Sequence, residues 1–236
     1  MSSIDTPILD CSNLHVAYHR KEILRGATLV VHRGEFVGLF GNNGAGKSTL
    51  LRAVAGVLGL RDGSIQYHRH GGCHALELAG MPTWEINRLG IGYLLQGGQI
   101  FHNLTVMENL YVAFGERDGG SFEERREEVL AHFPRLTDLL HKRSGLLSGG
   151  ERQMLAIALV MSQRPELLLL DEPTAGLAEH LASGLLTMLA NMCQSTGSSI
   201  LMVEQNVDLA RSVIGRAYYL RNGVAYLDNG ASGVTT

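Results

Sequence analysis

The chain has 236 residues, enough for one large domain with its own core, and its 45% hydrophobic and 18% charged residues fall in the ordinary globular range. The net charge of -3 comes with no basic block, which argues against a nucleic-acid partner.

In chain order, Ile8–Tyr18, Ile23–Val31 and Phe36–Phe40 read as short strands with turns between them. Phe36–Phe40 is apolar throughout, as a buried strand requires, and runs straight into Gly41. Lys47–Leu58 follows with Leu50, Leu51, Val54, Val57 and Leu58 at helical spacing. The stretch from His74 to Arg152 is rich in charge and helix formers and predicts a helical sub-domain inserted into a sheet domain. Two further buried strands are expected at Leu167–Leu170, ending in Asp171-Glu172, and at Ser199–Val203, ending in Glu204-Gln205. The tail, Ala217–Leu220, Asn222-Gly223 and Val224–Leu227, has the pattern of a hairpin with a type I′ turn.

Strands alternating with helices predict an α/β fold with a mainly parallel sheet, and ligands in such sheets sit at the carboxyl ends of strands. One domain is expected over 1–236, with the helical sub-domain at about 74–152 inside it. No signal peptide is expected, because no positive stretch precedes an apolar run at the N-terminus. The most apolar stretch, Met154 to Met161, falls far short of the roughly 20 residues of a membrane span. Cys11, Cys73 and Cys193 lie far apart in no metal-ligand spacing and are expected as reduced thiols.

Gly41-Asn-Asn-Gly-Ala-Gly-Lys-Ser48 fits the phosphate-binding pattern G-x-x-x-x-G-K-[ST], in the required context between a strand and a helix. Glycines let successive amides turn toward phosphate oxygens, and the following helix adds its positive end. Lys47 can reach the β- and γ-phosphates, and Ser48 can ligate magnesium. Asp171, at the end of an apolar strand, can hold magnesium through its water shell, and Glu172 can polarise an attacking water. Leu147-Ser-Gly-Gly-Glu-Arg-Gln153 opens a helix with a hydroxyl and bare amides at Ser148, Gly149 and Gly150, a second anion site. Since the chain has its own phosphate loop, this second site suits the nucleotide of another copy.

Taken together, Gly41–Ser48, Gln96, Leu147–Gln153 and Leu170–Leu177 resemble the ABC-type ATPases, over nearly the whole chain from Ile8 to Gly230. The resemblance implies a P-loop NTPase with an N-terminal antiparallel β sub-domain and an inserted helical sub-domain. It implies ATP and Mg2+ as ligands, with nucleotide contacts at Gly41, Asn42, Asn43, Gly44, Ala45, Gly46, Lys47, Ser48 and Thr49. By the same resemblance Tyr18 stacks on adenine, and Gln96 contacts magnesium and the attacking water and begins the segment that senses a membrane partner. Two positions depart from the family pattern: Ala178 stands where aspartate is common, and Gln205 stands where most members carry the histidine that contacts the γ-phosphate. Glutamine can donate a hydrogen bond there but carries no charge.

Val203-Glu-Gln-Asn206, Gly90-Ile-Gly-Tyr93, Leu104-Thr-Val-Met-Glu-Asn-Leu110 and Ala175-Gly-Leu-Ala178 are similar to one subfamily, the ATPase subunits of importers for branched-chain amino acids, urea and short amides. That likeness implies a second, non-identical ATPase subunit, two membrane permeases, an indirect link to a solute-binding protein, and a peripheral place on the cytoplasmic face of the cell membrane. A non-transport ABC ATPase is the alternative; those usually carry two cassettes or a long coiled-coil insertion, and neither pattern is present here. Within Gly97–Phe114, one or two of Ile100, Phe101, Leu104 and Val106 are expected to line a groove for a permease helix.

Overall fold

The computed structural model describes residues 7–72, 74–114 and 121–228. Two long strands, β1 (Pro7–Tyr18) and β2 (Lys21–His32), pair antiparallel, and with β4 (Asp62–Tyr67) and β5 (Leu76–Glu77) they form a four-stranded sheet in the order β2-β1-β4-β5. The second sheet has six strands in the order β10-β9-β3-β8-β7-β6, from β3 (Phe36–Phe40), β6 (Ile91–Leu94), β7 (Leu167–Asp171), β8 (Ser199–Val203), β9 (Arg216–Arg221) and β10 (Val224–Leu227). All of its pairings are parallel except β9 with β10. The α/β class, the N-terminal antiparallel sheet and the mainly parallel sheet therefore match the expectation from sequence.

The strand sequences explain why both faces of the parallel sheet are covered. Successive side chains in a strand point to opposite faces. Val37 and Leu39, Leu167 and Leu169, and Leu201 and Val203 enter a core shared with β1, β2 and α1 (Lys47–Val54). Their neighbours Phe36 and Phe40, Leu168 and Leu170, and Ile200 and Met202 enter a second core on the other face. There they meet α3 (Val106–Phe114), α6 (Gly149–Met161) and α7 (Glu179–Thr196). Continuous apolar runs such as Leu167-Leu-Leu-Leu170 suit strands with no solvent face.

Two expectations need correction. The helix expected over Lys47–Leu58 stops at Val54. Gly56 takes φ 71°, and a side chain there would come within 2.7 Å of the Met81 carbonyl oxygen, so a tight turn replaces the last helical turn. The stretch 74–152 is not wholly helical: β5 and the short helix α2 (Thr83–Arg88) open it, and β6 is an edge strand of the parallel sheet. Its helices α3, α4 (Phe122–His132) and α5 (Pro134–Thr137) come after β6. Ile91-Gly-Tyr-Leu94 was too short an apolar run to separate from helix by period alone.

The hairpin expected at the tail is present, with Asn222 at φ 50° and Gly223 at φ 81°, the two positive values a type I′ turn needs. A short helix, α8 (Val207–Arg211), capped by Asn206, lies between β8 and β9. Cys11 and Cys193 are buried free thiols, and burial raises the Cys193 thiol to about 11; Cys73 lies outside the described residues. No described helix is long and apolar enough to cross a membrane.

Candidate nucleotide site

Three of the central strands end in polar residues, and the fold brings those ends together. After β3 the chain turns through Gly41, Gly44 and Gly46 at φ 143°, 80° and 108° into α1. A side chain on Gly41 would meet the Leu220 carbonyl oxygen at 2.3 Å, so glycine is required where the loop passes β9. No side chain caps α1. Its first amides, beside those of the glycine loop, are positioned to point at an anion.

Lys47, only 5% exposed, folds back over this loop. Its Nζ donates to the carbonyl oxygens of Gly41 at 2.7 Å and Asn42 at 3.2 Å. Burial lowers its pKa, an effect partly offset by Glu172, Asp171 and Glu204 nearby. Ser48 Oγ donates to Asp171 Oδ1 at 2.8 Å. Asp171 is fully buried, which raises its carboxyl pKa, while the Ser48 bond acts in the opposite direction. Its other oxygen, Oδ2, is buried without a hydrogen-bond partner. A buried, unpartnered carboxylate oxygen beside a hydroxyl is costly by itself and suits a hard cation.

Glu172 sits next in the chain at φ 50°, a left-handed conformation uncommon for a residue with a Cβ. Its N–H donates to the Val203 carbonyl at 3.0 Å. Its carboxylate lies between two side-chain amides: Gln96 Nε2 donates to Oε2 at 2.8 Å and Gln205 Nε2 donates to Oε1 at 2.7 Å. So Gln96 from the loop after β6, Glu172 after β7 and Gln205 after β8 form one cluster.

Other expected residues stand apart from it. Ser148 caps α6 and accepts from the Glu151 N–H at 3.3 Å, while Glu151 returns a bond to the Ser148 N–H at 2.9 Å, a capping box. Ser148 and Gly149 are exposed, and Gly150 backs onto Leu177 and Leu181. Tyr18 ends β1 with 38% exposure, its hydroxyl accepting from Arg52 Nη1 at 3.4 Å. The cleft of about 1040 Å³ in front of Gly41–Ala45 is walled instead by β2, Gln205, α8 and the Asn222-Gly223 turn.

Residues 24–175 match the ABC transporter family. The chain belongs to that family. This ABC ATPase binds nucleotide and hydrolyses ATP. It is 36% identical over 229 residues to the high-affinity branched-chain amino acid transport ATP-binding protein BraG of Pseudomonas aeruginosa, covering 97% of this chain and 95% of that one. It is also 35% identical to the probable branched-chain amino acid transport ATP-binding protein LivF of Archaeoglobus fulgidus, over 89% of this chain and 86% of the other. The lipopolysaccharide export ATP-binding protein LptB of Escherichia coli is 32% identical, over 91% and 87% of the two chains. Among solved structures, cbiO1 of Clostridium perfringens, part of the transporter complex cbiONQ, superposes with a TM-score of 0.83 at 25% identity, covering 94% of this chain and 88% of that one.

Sequence reading missed two tethers in this ABC ATPase. Glu204, 4% exposed, accepts from the Thr174 N–H at 3.1 Å and hydroxyl at 2.5 Å and from the Gln205 N–H at 3.1 Å, tying the loop after Glu172 to β8. Asn109, 1% exposed, holds Phe101 by both backbone groups and donates to Ser144 Oγ at 2.8 Å. Backbone bonds from Ser144 to Leu104 and from Gly145 to His102 run beside it. An asparagine inside the apolar run Val106–Phe114 was the available signal.

Proposed function

We propose that this chain powers an importer for branched-chain amino acids or related small polar solutes, from the cytoplasmic face of the membrane. ATP hydrolysis rests on one observation above all, the meeting of Lys47, Ser48–Asp171 and Gln96–Glu172–Gln205 beyond the carboxyl ends of β3, β6, β7 and β8. The importer reading rests on similarity to BraG along 97% of the chain.

In this reading the amides of Gly41 to Thr49 and the Lys47 ammonium hold the phosphates, and the exposed ring of Tyr18 serves adenine. Ser48, Asp171 and Gln96 would hold Mg2+, and the unpartnered Asp171 Oδ2 supports that fit. The ion, when bound, offsets negative charge on the phosphates. Gln96 and Glu172 orient a water for attack on the γ-phosphate, with Glu172 accepting its proton. Ser148 and Gly149, exposed at the start of α6, and the half-buried Gly150 serve the nucleotide of a second, non-identical ATPase subunit. The Ser148 hydroxyl accepts within its own helix, which leaves its proton for an outside acceptor.

Two membrane permeases complete the assembly, one of them seated in the cleft of about 1190 Å³ that includes Trp84, Ile100, Phe101 and Val112. Val106 is buried and Phe101 is 58% exposed, so Phe101 is the side chain of that stretch best placed to touch a partner. Phe101→Asp is expected to reduce co-purification with the permeases while ATP binding by the isolated chain stays at the wild-type level. Unchanged co-purification removes the docking role.

Gln205 makes this half-site slow. It contacts Glu172 with a neutral amide, and a charge-assisted bond lost from the γ-phosphate costs about 1–2 kcal/mol, roughly tenfold in rate. Gln205→His in the assembled heteromer is expected to raise ATP turnover several-fold, measured with the partner's catalytic glutamate disabled. No rise would show that the missing charge does not limit this site.

A further inference from the structure

Tyr18 closes β1 at the tip of a hairpin, paired with Lys21 across the turn His19-Arg20. A ring at a hairpin tip has rotamer and backbone freedom to lose unless something outside its own strands holds it. Two arginines from the segment that follows the phosphate loop hold this one. Arg61, just before β4, donates from its guanidinium to the His19 carbonyl oxygen and from its N–H to the His15 carbonyl oxygen at 2.8 Å. Arg52 donates from Nη1 to the Tyr18 hydroxyl at 3.4 Å.

The place of Arg52 in the chain gives that bond its interest. Arg52 is half-buried and lies on α1, the helix that opens with Lys47 and Ser48. A helix is stiff over its few turns, so the first turn, which faces the phosphates, and the Arg52 guanidinium keep a fixed separation. The aromatic ring and the phosphate cradle therefore share one rigid reference, although Tyr18 itself belongs to the other sheet.

We propose that Arg52 is a positioning residue for the nucleotide, setting the Tyr18 ring at a fixed distance from the phosphate loop. The inference rests on the reading of Tyr18 as the adenine platform. A base whose phosphates are already seated on α1 then meets a ring that is in place, and the ordering cost of the platform is met before binding. The benefit goes to ligands that carry both a base and phosphates. Phosphates alone gain nothing from it.

The test is titration of the full chain with Mg-ATP and with magnesium tripolyphosphate, which carries the phosphates and no base. The quantity read is the preference for ATP over tripolyphosphate, so that any effect on the phosphate or magnesium end cancels. Tyr18→Ala removes the platform and is expected to lower that preference about tenfold, within the range for a base stacked on an aromatic ring. Tyr18→Phe keeps the ring without its hydroxyl, and Arg52→Gln removes the guanidinium. Each is expected to lower the preference about threefold, the modest share of a long, exposed hydrogen bond. Arg52 also stands beside the buried hydroxyl of Tyr93, so a change at Arg52 alone does not isolate the bond to Tyr18. The double variant does, and it is expected to lose no more than either single one. Lys47→Ala acts at the phosphates and is expected to weaken both ligands, with the preference near wild type. A preference lowered by Tyr18→Ala but kept in Tyr18→Phe or in Arg52→Gln, or losses that add in the double variant, would overturn the role of Arg52 and leave the platform standing. A preference unmoved by Tyr18→Ala would overturn the platform and the proposal with it.

Discussion

Glu172→Gln is expected to lower ATP turnover by about two to four orders of magnitude, the usual contribution of a general base, while ATP affinity stays close to wild type. The carboxylate now accepts from Gln96 on one oxygen and from Gln205 on the other, at 2.8 and 2.7 Å. A glutamine has one acceptor oxygen and one NH2 group, so in place of Glu172 it satisfies one neighbour and presents donor to donor at the other. One of the two amides must turn away. The substitution therefore removes the proton acceptor and also opens the cluster on one side. Phosphate release measures the first effect. Size-exclusion chromatography with ATP and the partner subunit shows whether unhydrolysed nucleotide holds two ATPase subunits together. Wild-type turnover in this variant would remove Glu172 from its assigned role.

Lys47→Ala is expected to weaken ATP binding by about a hundredfold, equivalent to about 3 kcal/mol and within the range for hydrogen bonds to a charged group. The ammonium already lies over the loop, 2.7 Å from the Gly41 carbonyl oxygen. Phosphate oxygens replace these carbonyls as partners with little rearrangement, so the side-chain entropy cost is met before the nucleotide arrives. Burial lowers the Lys47 pKa, so the ammonium of the empty site is lost at a lower pH than that of an exposed lysine. ATP affinity of the wild type is thus expected to fall on the alkaline side, and Lys47→Ala is expected to lack that dependence. Nucleotide titrations at several pH values check both points, and an affinity unchanged by the substitution would overturn the assignment.

Much of this was legible in the residues because short-range rules governed them. Gly41 to Ser48 needs glycine for backbone reasons, and Leu167 to Asp171 reads as a strand because nothing polar interrupts it. The pairing of the strand ends was also accessible, since parallel sheets place their ligands there. What could not be read depended on contacts distant in sequence. The helix after the phosphate loop ends early because Gly56 packs against Met81 and Ile86. The strand Ile91–Leu94 lies inside a stretch expected as helix because its partner, β7, comes some seventy residues later. Gln205 was expected to face phosphate, and only the fold shows its amide on Glu172. The bond from Asn109 to Ser144 joins residues 35 positions apart: an asparagine inside an apolar run is visible in the sequence, but the partner it reaches is not.

That last bond has a mechanical meaning. Asn109 clamps the backbone of Phe101, at the rim of the apolar cleft, and reaches Ser144, four positions before the cap of α6. The backbone bonds from Leu104 to Ser144 and from His102 to Gly145 form a short splint across the same gap. A splint resists bending, so a load applied at the Phe101 rim is carried to the start of α6 with little lost to local give. The rim at Phe101 and the segment that leads into α6 are thus held together by one buried side chain and two backbone bonds.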